Sequence, residues 1–129
     1  MTRTIADAFL AKAEEYRASA QDNLENGRFT VAAGDAIHAG ICAKDAILAA
    51  LTGATGKGRD HSMAVAELRR ALGDRPEAPA AARALLELVS AKSEVEYGVA
   101  VIPAAKATAL VRRAASLCEL AVSLVRLGR

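Results

Sequence analysis

With 32 alanines in 129 residues, and only Phe9, Tyr16, Phe29 and Tyr97 as aromatics, this chain has little from which to build a sheet. Strands favour β-branched and aromatic side chains that fill a pleated surface. Alanine is instead the best helix former, because it has no side-chain rotamers to lose. Side chains this small also let helix backbones approach closely. The composition predicts an all-α protein. Its length suits a single domain over residues 1–129, with a core large enough to need neither disulfide nor metal.

Apolar spacing divides the chain into five helices. Thr4 and Asp7 read as a capping box for a first helix that reaches Leu24, with Phe9, Leu10, Ala13, Tyr16, Ala20 and Leu24 on one face and a stop at Asn26-Gly27. A second helix is predicted from Phe29 to Leu51, with Ala33, Ile37, Gly40, Ile41, Lys44, Ile47, Leu48 and Leu51 along one side. Gly34 and Gly40 each weaken such a helix by roughly 1 kcal/mol relative to alanine, so both are read as places where another backbone packs close. Thr52 to Gly58 is a loop, after which Asp60 or Ser62 caps a short helix to Leu72. After the turn Gly73-Asp74-Arg75-Pro76, a fourth helix with Pro76 or Pro79 in its first turn continues to Glu96. Residues 98–102 form an apolar linker expected to tuck against the bundle, and Pro103 starts a fifth helix to Leu127. Four long helices and one short one, joined by short loops and without a repeat period, predict an antiparallel up-and-down bundle.

The net charge of +2 is too small to argue for nucleic acid by itself. Its distribution is less even. The last helix carries Lys106, Arg112, Arg113, Arg126 and Arg129 against Glu119 alone, a stripe that either meets phosphate or an acidic partner or is simply a solvated face. Cys42 and Cys118 lie inside helical apolar patterns and read as reduced, buried hydrophobes, with no second Cys or His at metal-ligand spacing. Neither a metal nor a cofactor is expected. An acid at position 7 disfavours a secretory signal, and no uncharged run is long enough to span a bilayer, so the expectation is a cytoplasmic protein that does not enter membranes.

Two helix ends carry candidate chemistry. Lys57, Arg59 and His61 cluster before the short helix, where neighbouring cations disfavour a charged imidazole and suit His61 to a base or a phosphate contact. Lys92, Glu96 and Tyr97 close the fourth helix. Lys92 and Tyr97 are about 140° apart on an ideal helix, too wide for contact unless the helix loosens at Gly98. Each set has a bland reading too, a helix cap and a solvated face. His38, with Asp35, Cys42 and Asp45 at helical spacing, reads as satisfying a buried or interface hydrogen bond. Gly53 to Gly58 only faintly resembles a phosphate-binding loop: it follows a helix and lacks the hydroxyl residue after Lys57.

The order of these features resembles the HEPN family, the higher eukaryotes and prokaryotes nucleotide-binding domain, over roughly residues 11–127. Glu25-Asn26-Gly27-Arg28-Phe29 matches its turn before an aromatic residue. Val31 to Ala39 matches its small-residue helix, with Ile37 and His38 where two aromatics usually stand. Arg59-Asp60-His61-Ser62 matches its basic residue and His-Ser pair. Lys92 to Tyr97 matches its Arg, three residues, then Asp-Tyr, with Lys92 for the arginine and Glu96 for the aspartate. The resemblance implies an up-and-down helical bundle, a homodimer, and frequent coupling to a nucleotidyltransferase-like protein in toxin–antitoxin or defence modules. Active members are metal-independent ribonucleases in which a histidine takes a proton from the ribose 2′-hydroxyl and an arginine steadies the phosphorane.

In this chain the aligned pair is Lys92 and Tyr97. Lysine offers charge without the guanidinium fork, and tyrosine, with a pKa of about 10, is a poor base at neutral pH. The first expectation is therefore a non-catalytic HEPN-like module binding a nucleotide, RNA or protein partner, in which Lys92→Ala weakens retention of that ligand. The alternatives are a ribonuclease toxin using Lys92, Tyr97 and His61, inactivated by His61→Ala or Tyr97→Phe, and a helical scaffold indifferent to all of these changes.

Overall fold

The computed structural model describes residues 2–53 and 61–127, with side chains from Ile5 in the first stretch and from Ser62 in the second. Five α-helices follow in order: α1 (Thr2–Glu25), α2 (Phe29–Thr52), α3 (Ala64–Leu72), α4 (Ala78–Tyr97) and α5 (Ala104–Leu127), with a 3-10 turn at His61–Met63 leading into α3. No strand occurs among the described residues. The protein is an all-α bundle of four long helices and one short one.

Cross-helix contacts give the directions. Ser19 and Tyr16 on α1 meet Asp35 and His38 on α2, so these two helices run antiparallel. Glu94 and Glu87 on α4 pair with Lys106 and Arg113 on α5, again antiparallel. Ile102, just before α5, donates its N–H to Thr30 Oγ1 at 2.9 Å, which brings the starts of α2 and α5 to the same end. The four long helices therefore alternate up and down. α2 lies at the centre and touches every other α-helix.

Alanine explains the central place of α2. Ala32, Ala33, Ala36, Ala39, Ala43 and Ala46 are buried, so neighbours close in from several sides, with Ile37 and Ile47 supplying bulk. Gly40 has a specific reason: a methyl group there would lie 2.5 Å from Leu88 Cδ1 and 3.5 Å from Leu117 Cδ1. The intruders are side chains, not the backbone expected from the sequence. Gly34 departs further, since an added methyl would make only ordinary contact with Val95, at 3.8 Å.

Several helix ends differ from the sequence-based expectation. Helical backbone begins at Thr2, two residues before the expected cap at Thr4. α3 has Met63 at its N-cap position with no side-chain cap, because the 3-10 turn at His61–Met63 leads into it; Asp60 lies outside the described residues. Pro79, not Pro76, occupies the first turn of α4. Gly27, at φ 76°, supplies the left-handed residue between α1 and α2. The linker is only partly tucked: Ile102 is buried, whereas Val99 and Val101 face solvent.

Candidate functional site

Polar side chains from three helices meet over α2. At the end of α4 the ammonium of Lys92 donates to Glu96 Oε2 one turn on. The other oxygen of the same carboxylate, Glu96 Oε1, lies 3.4 Å from His38 Nε2 on α2. His38 in turn stacks on Tyr16 of α1, with ring centroids 5.1 Å apart and planes 29° from parallel. Tyr97 completes the group, its ring centroid 5.9 Å from Lys92 Nζ. That distance is at the limit of a cation–π contact. Glu96 thus bridges a lysine on its own helix and a histidine on another.

The electrostatics follow from this geometry. The hydrogen bond from Lys92 holds the Glu96 carboxyl below its ordinary pKa, and His38 adds to the effect; the same bond holds the Lys92 ammonium above its ordinary value. Lys92 and Glu96 therefore stay charged and mutually satisfied across the neutral range.

Of the residues singled out in the sequence, Lys92, Glu96 and Tyr97 do come together. The helix need not loosen for this: α4 remains helical through Tyr97, and the long lysine side chain spans the offset. Lys57 and Arg59 lie outside the described residues. His61 opens the 3-10 turn, and its side chain, with any meeting of it and Lys92, also lies outside them.

Sequence reasoning missed two members of the cluster. Tyr16 sits in an apolar helical repeat and looks like core alone. His38 was matched to its own helix neighbours, whereas its partners, Glu96 and Tyr16, are on α4 and α1. A histidine and a tyrosine on the facing sides of two helices joined by a tight turn was the one available hint.

Two further polar groups hold the surroundings in place. Lys44, 5 % exposed, has Nζ 2.7 Å from Asp45 Oδ1 and 3.6 Å from Glu67 Oε1, tying α3 to α2. The first contact is one of charge, since no donor among the described residues is aligned for a hydrogen bond to that oxygen. Asp35 accepts from Ser19 Oγ at 2.6 Å and from Asn23 Nδ2 at 3.1 Å, and Arg28 Nε donates to Asn23 Oδ1 at 2.6 Å, which locks the α1–α2 turn. The basic stripe of α5 is partly neutralised: Lys106 pairs with Glu94 and Arg113 with Glu87. Both cysteines are free; Cys118 is buried and Cys42 half-buried. Among the described residues no group of three His, Cys, Asp or Glu side chains is placed to hold a metal ion, and no helix is long and apolar enough to cross a membrane.

Compared with known proteins, no family model matches the chain and no curated protein matches its sequence.

Proposed function

We propose that this chain is a HEPN-like helical module that binds without turnover, acting in the cytoplasm as a homodimer or beside a nucleotidyltransferase-like partner in a toxin–antitoxin or defence system. The observation that carries the reading is the Lys92–Glu96 ion pair. The position that resembles the family's phosphate-steadying arginine holds a lysine whose charge is already taken by a carboxylate one turn away. A phosphorane would have to displace Glu96 before Lys92 could reach it. Tyr97, in the place of the base, is a weak proton acceptor near neutral pH. A nucleotide, an RNA or a protein can still be held by such a surface, but neither Lys92 nor Tyr97 supplies what the aligned Arg and His would for cleavage.

One contact favours the ribonuclease alternative. His38 Nε2 lies 3.4 Å from Glu96 Oε1, a histidine–carboxylate pair of the kind that orients a general base. Incubating the purified protein with RNA in the presence of EDTA separates the two. The binding module leaves RNA intact. Metal-free cleavage that disappears in His38→Ala or Lys92→Ala would establish the enzyme and remove the proposal.

A further inference from the structure

Two cavities, of about 370 and 340 Å³, open along the seam between α4 and α5 and share Glu87 and Arg113 in their walls. The first also takes in Arg83 and Ser116; the second takes in Lys106 and has the buried Ala91 and Leu110 as its floor. Each falls in the ~300–1,000 Å³ range of small-molecule sites. The seam lies on the other side of α4 from the cluster over α2. Glu87 and Glu94 turn to α5, whereas Glu96 turns to His38.

Charge runs along this seam in rungs. Glu94 pairs with Lys106, and two turns further along both helices Glu87 pairs with Arg113. Because the helices are antiparallel, Arg83, one turn before Glu87, lies level with Ser116, one turn beyond Arg113, and both line the first cavity. No acid stands at this third rung. The only acid of α5, Glu119, is engaged elsewhere, accepting from Arg17 of α1 at 3.1 Å. Among the described residues neither Arg83 nor the Ser116 hydroxyl has an ion-pair or hydrogen-bond partner. Arg113 donates its Nε to Glu87, which leaves its two terminal nitrogens as donors.

The charge balance identifies the ligand. Three cations along the seam, Arg83, Lys106 and Arg113, face two carboxylates, Glu87 and Glu94, so a single negative charge completes the set. A carboxylate carries one charge and offers two oxygens to a guanidinium fork. A phosphate monoester carries about −1.5 to −2 and would leave the seam in excess of negative charge. A nucleotide would also find no aromatic side chain on which to stack its base, since none lines either cavity. Beside the head-group position, the apolar floor of the second cavity takes a short hydrocarbon body.

We propose that the α4–α5 seam binds a small organic monocarboxylate, its head group between Arg83 and Arg113 with a hydrogen bond from Ser116, and its hydrocarbon body over Ala91 and Leu110. The site stands apart from the binding reading above and holds whether or not the Lys92 cluster acts on RNA. The probe is octanoate, titrated into the isotope-labelled full chain and followed by amide chemical shifts. Saturable shifts should concentrate in residues 80–91 and 106–116. Arg83→Gln should weaken binding about fivefold, because it removes a charge-assisted contact at an exposed position. Its melting temperature should match the wild type, since that side chain supports no other residue. Arg112→Gln, exposed on α5 and outside both cavities, should leave the affinity as it is. Absence of saturable shifts at millimolar octanoate, equal affinity in Arg83→Gln, or an equal loss in Arg112→Gln overturns the site. Octanol binding as well as octanoate would make it an apolar cleft, and octyl phosphate binding more tightly would make it a phosphate site; either result overturns the carboxylate assignment.

Discussion

Glu96 is a single carboxylate shared between Lys92 and His38, and its behaviour with pH follows from that. Its pKa in the folded protein lies below its unfolded value, so its stabilising contribution is present above about pH 4 and is lost as pH falls through the folded pKa. Lys92 works in the opposite direction: its contribution is present below about pH 10 and is lost as pH rises through its raised value. Glu96→Gln should therefore flatten the fall in stability between about pH 5 and pH 3, measured by urea unfolding across that range. An unchanged pH profile would show that the bridge contributes nothing. Cys118 gives a second prediction. Burial, with Glu14 nearby, pushes its thiol up to about 12, and its Sγ donates to Ala13 O at 3.8 Å. Burial raises the Cys42 thiol as well. Neither should react quickly with a thiol-specific reagent at neutral pH, and both should do so in denaturant. Rapid labelling of Cys118 in the native protein would contradict its burial.

At the level of elements, α3 depends on others most, since nine residues form a helix too short to persist alone. Its inner face, Ala64, Leu68 and Leu72, is buried, and Glu67 reaches the ammonium of Lys44. Lys44→Ala removes the charge that faces both Asp45 and Glu67 and should destabilise the protein by about 2 kcal/mol, less than a fully buried pair because Glu67 is partly exposed. Lys44→Met keeps the aliphatic stem and should cost about half as much. Urea titration of the two variants checks this; equal midpoints for Lys44→Ala and wild type would show that α3 is held by its leucines alone. The surface pairs Arg17–Glu119, Lys106–Glu94 and Arg113–Glu87 are exposed ties between long helices and each contributes little. The same elements show what was readable in advance. Four long helices, the short one, Pro103 before α5 and Gly27 after α1 follow from periodicity and turn chemistry, which are local. The 3-10 geometry of the turn at His61–Met63 was not readable, because neighbouring sequence does not decide whether the first turn of a helix closes as 3-10 or α.

Over the whole molecule, α2 is the shared wall of the bundle, enclosed by α1, α4 and α5 with α3 against its far half. Amides of its buried stretch, from Ala36 to Ile47, should exchange with solvent only on global unfolding, while those of α3 exchange earlier through local opening. Hydrogen exchange read by mass spectrometry or NMR tests this; equal protection in α3 and α2 would mean that the short helix unfolds only with the rest. The candidate site shows why helix prediction and site prediction succeed to different degrees. Lys92, Glu96 and Tyr97 were visible because they share one helix end. His38 and Tyr16 were not, because whether a half-exposed histidine faces a carboxylate on another helix depends on how α1 and α4 rotate about α2. Alanine content and apolar spacing settle that this chain is helical and where each helix runs, since those are properties of a few successive residues. Packing alone decided that one carboxylate would be shared by a lysine and a histidine, and that Val99 and Val101 would be held out in solvent. Small side chains such as alanine and Gly40 permit close approach without specifying its angle; bulkier residues such as Leu88 and Leu117, fitting against α2, set it.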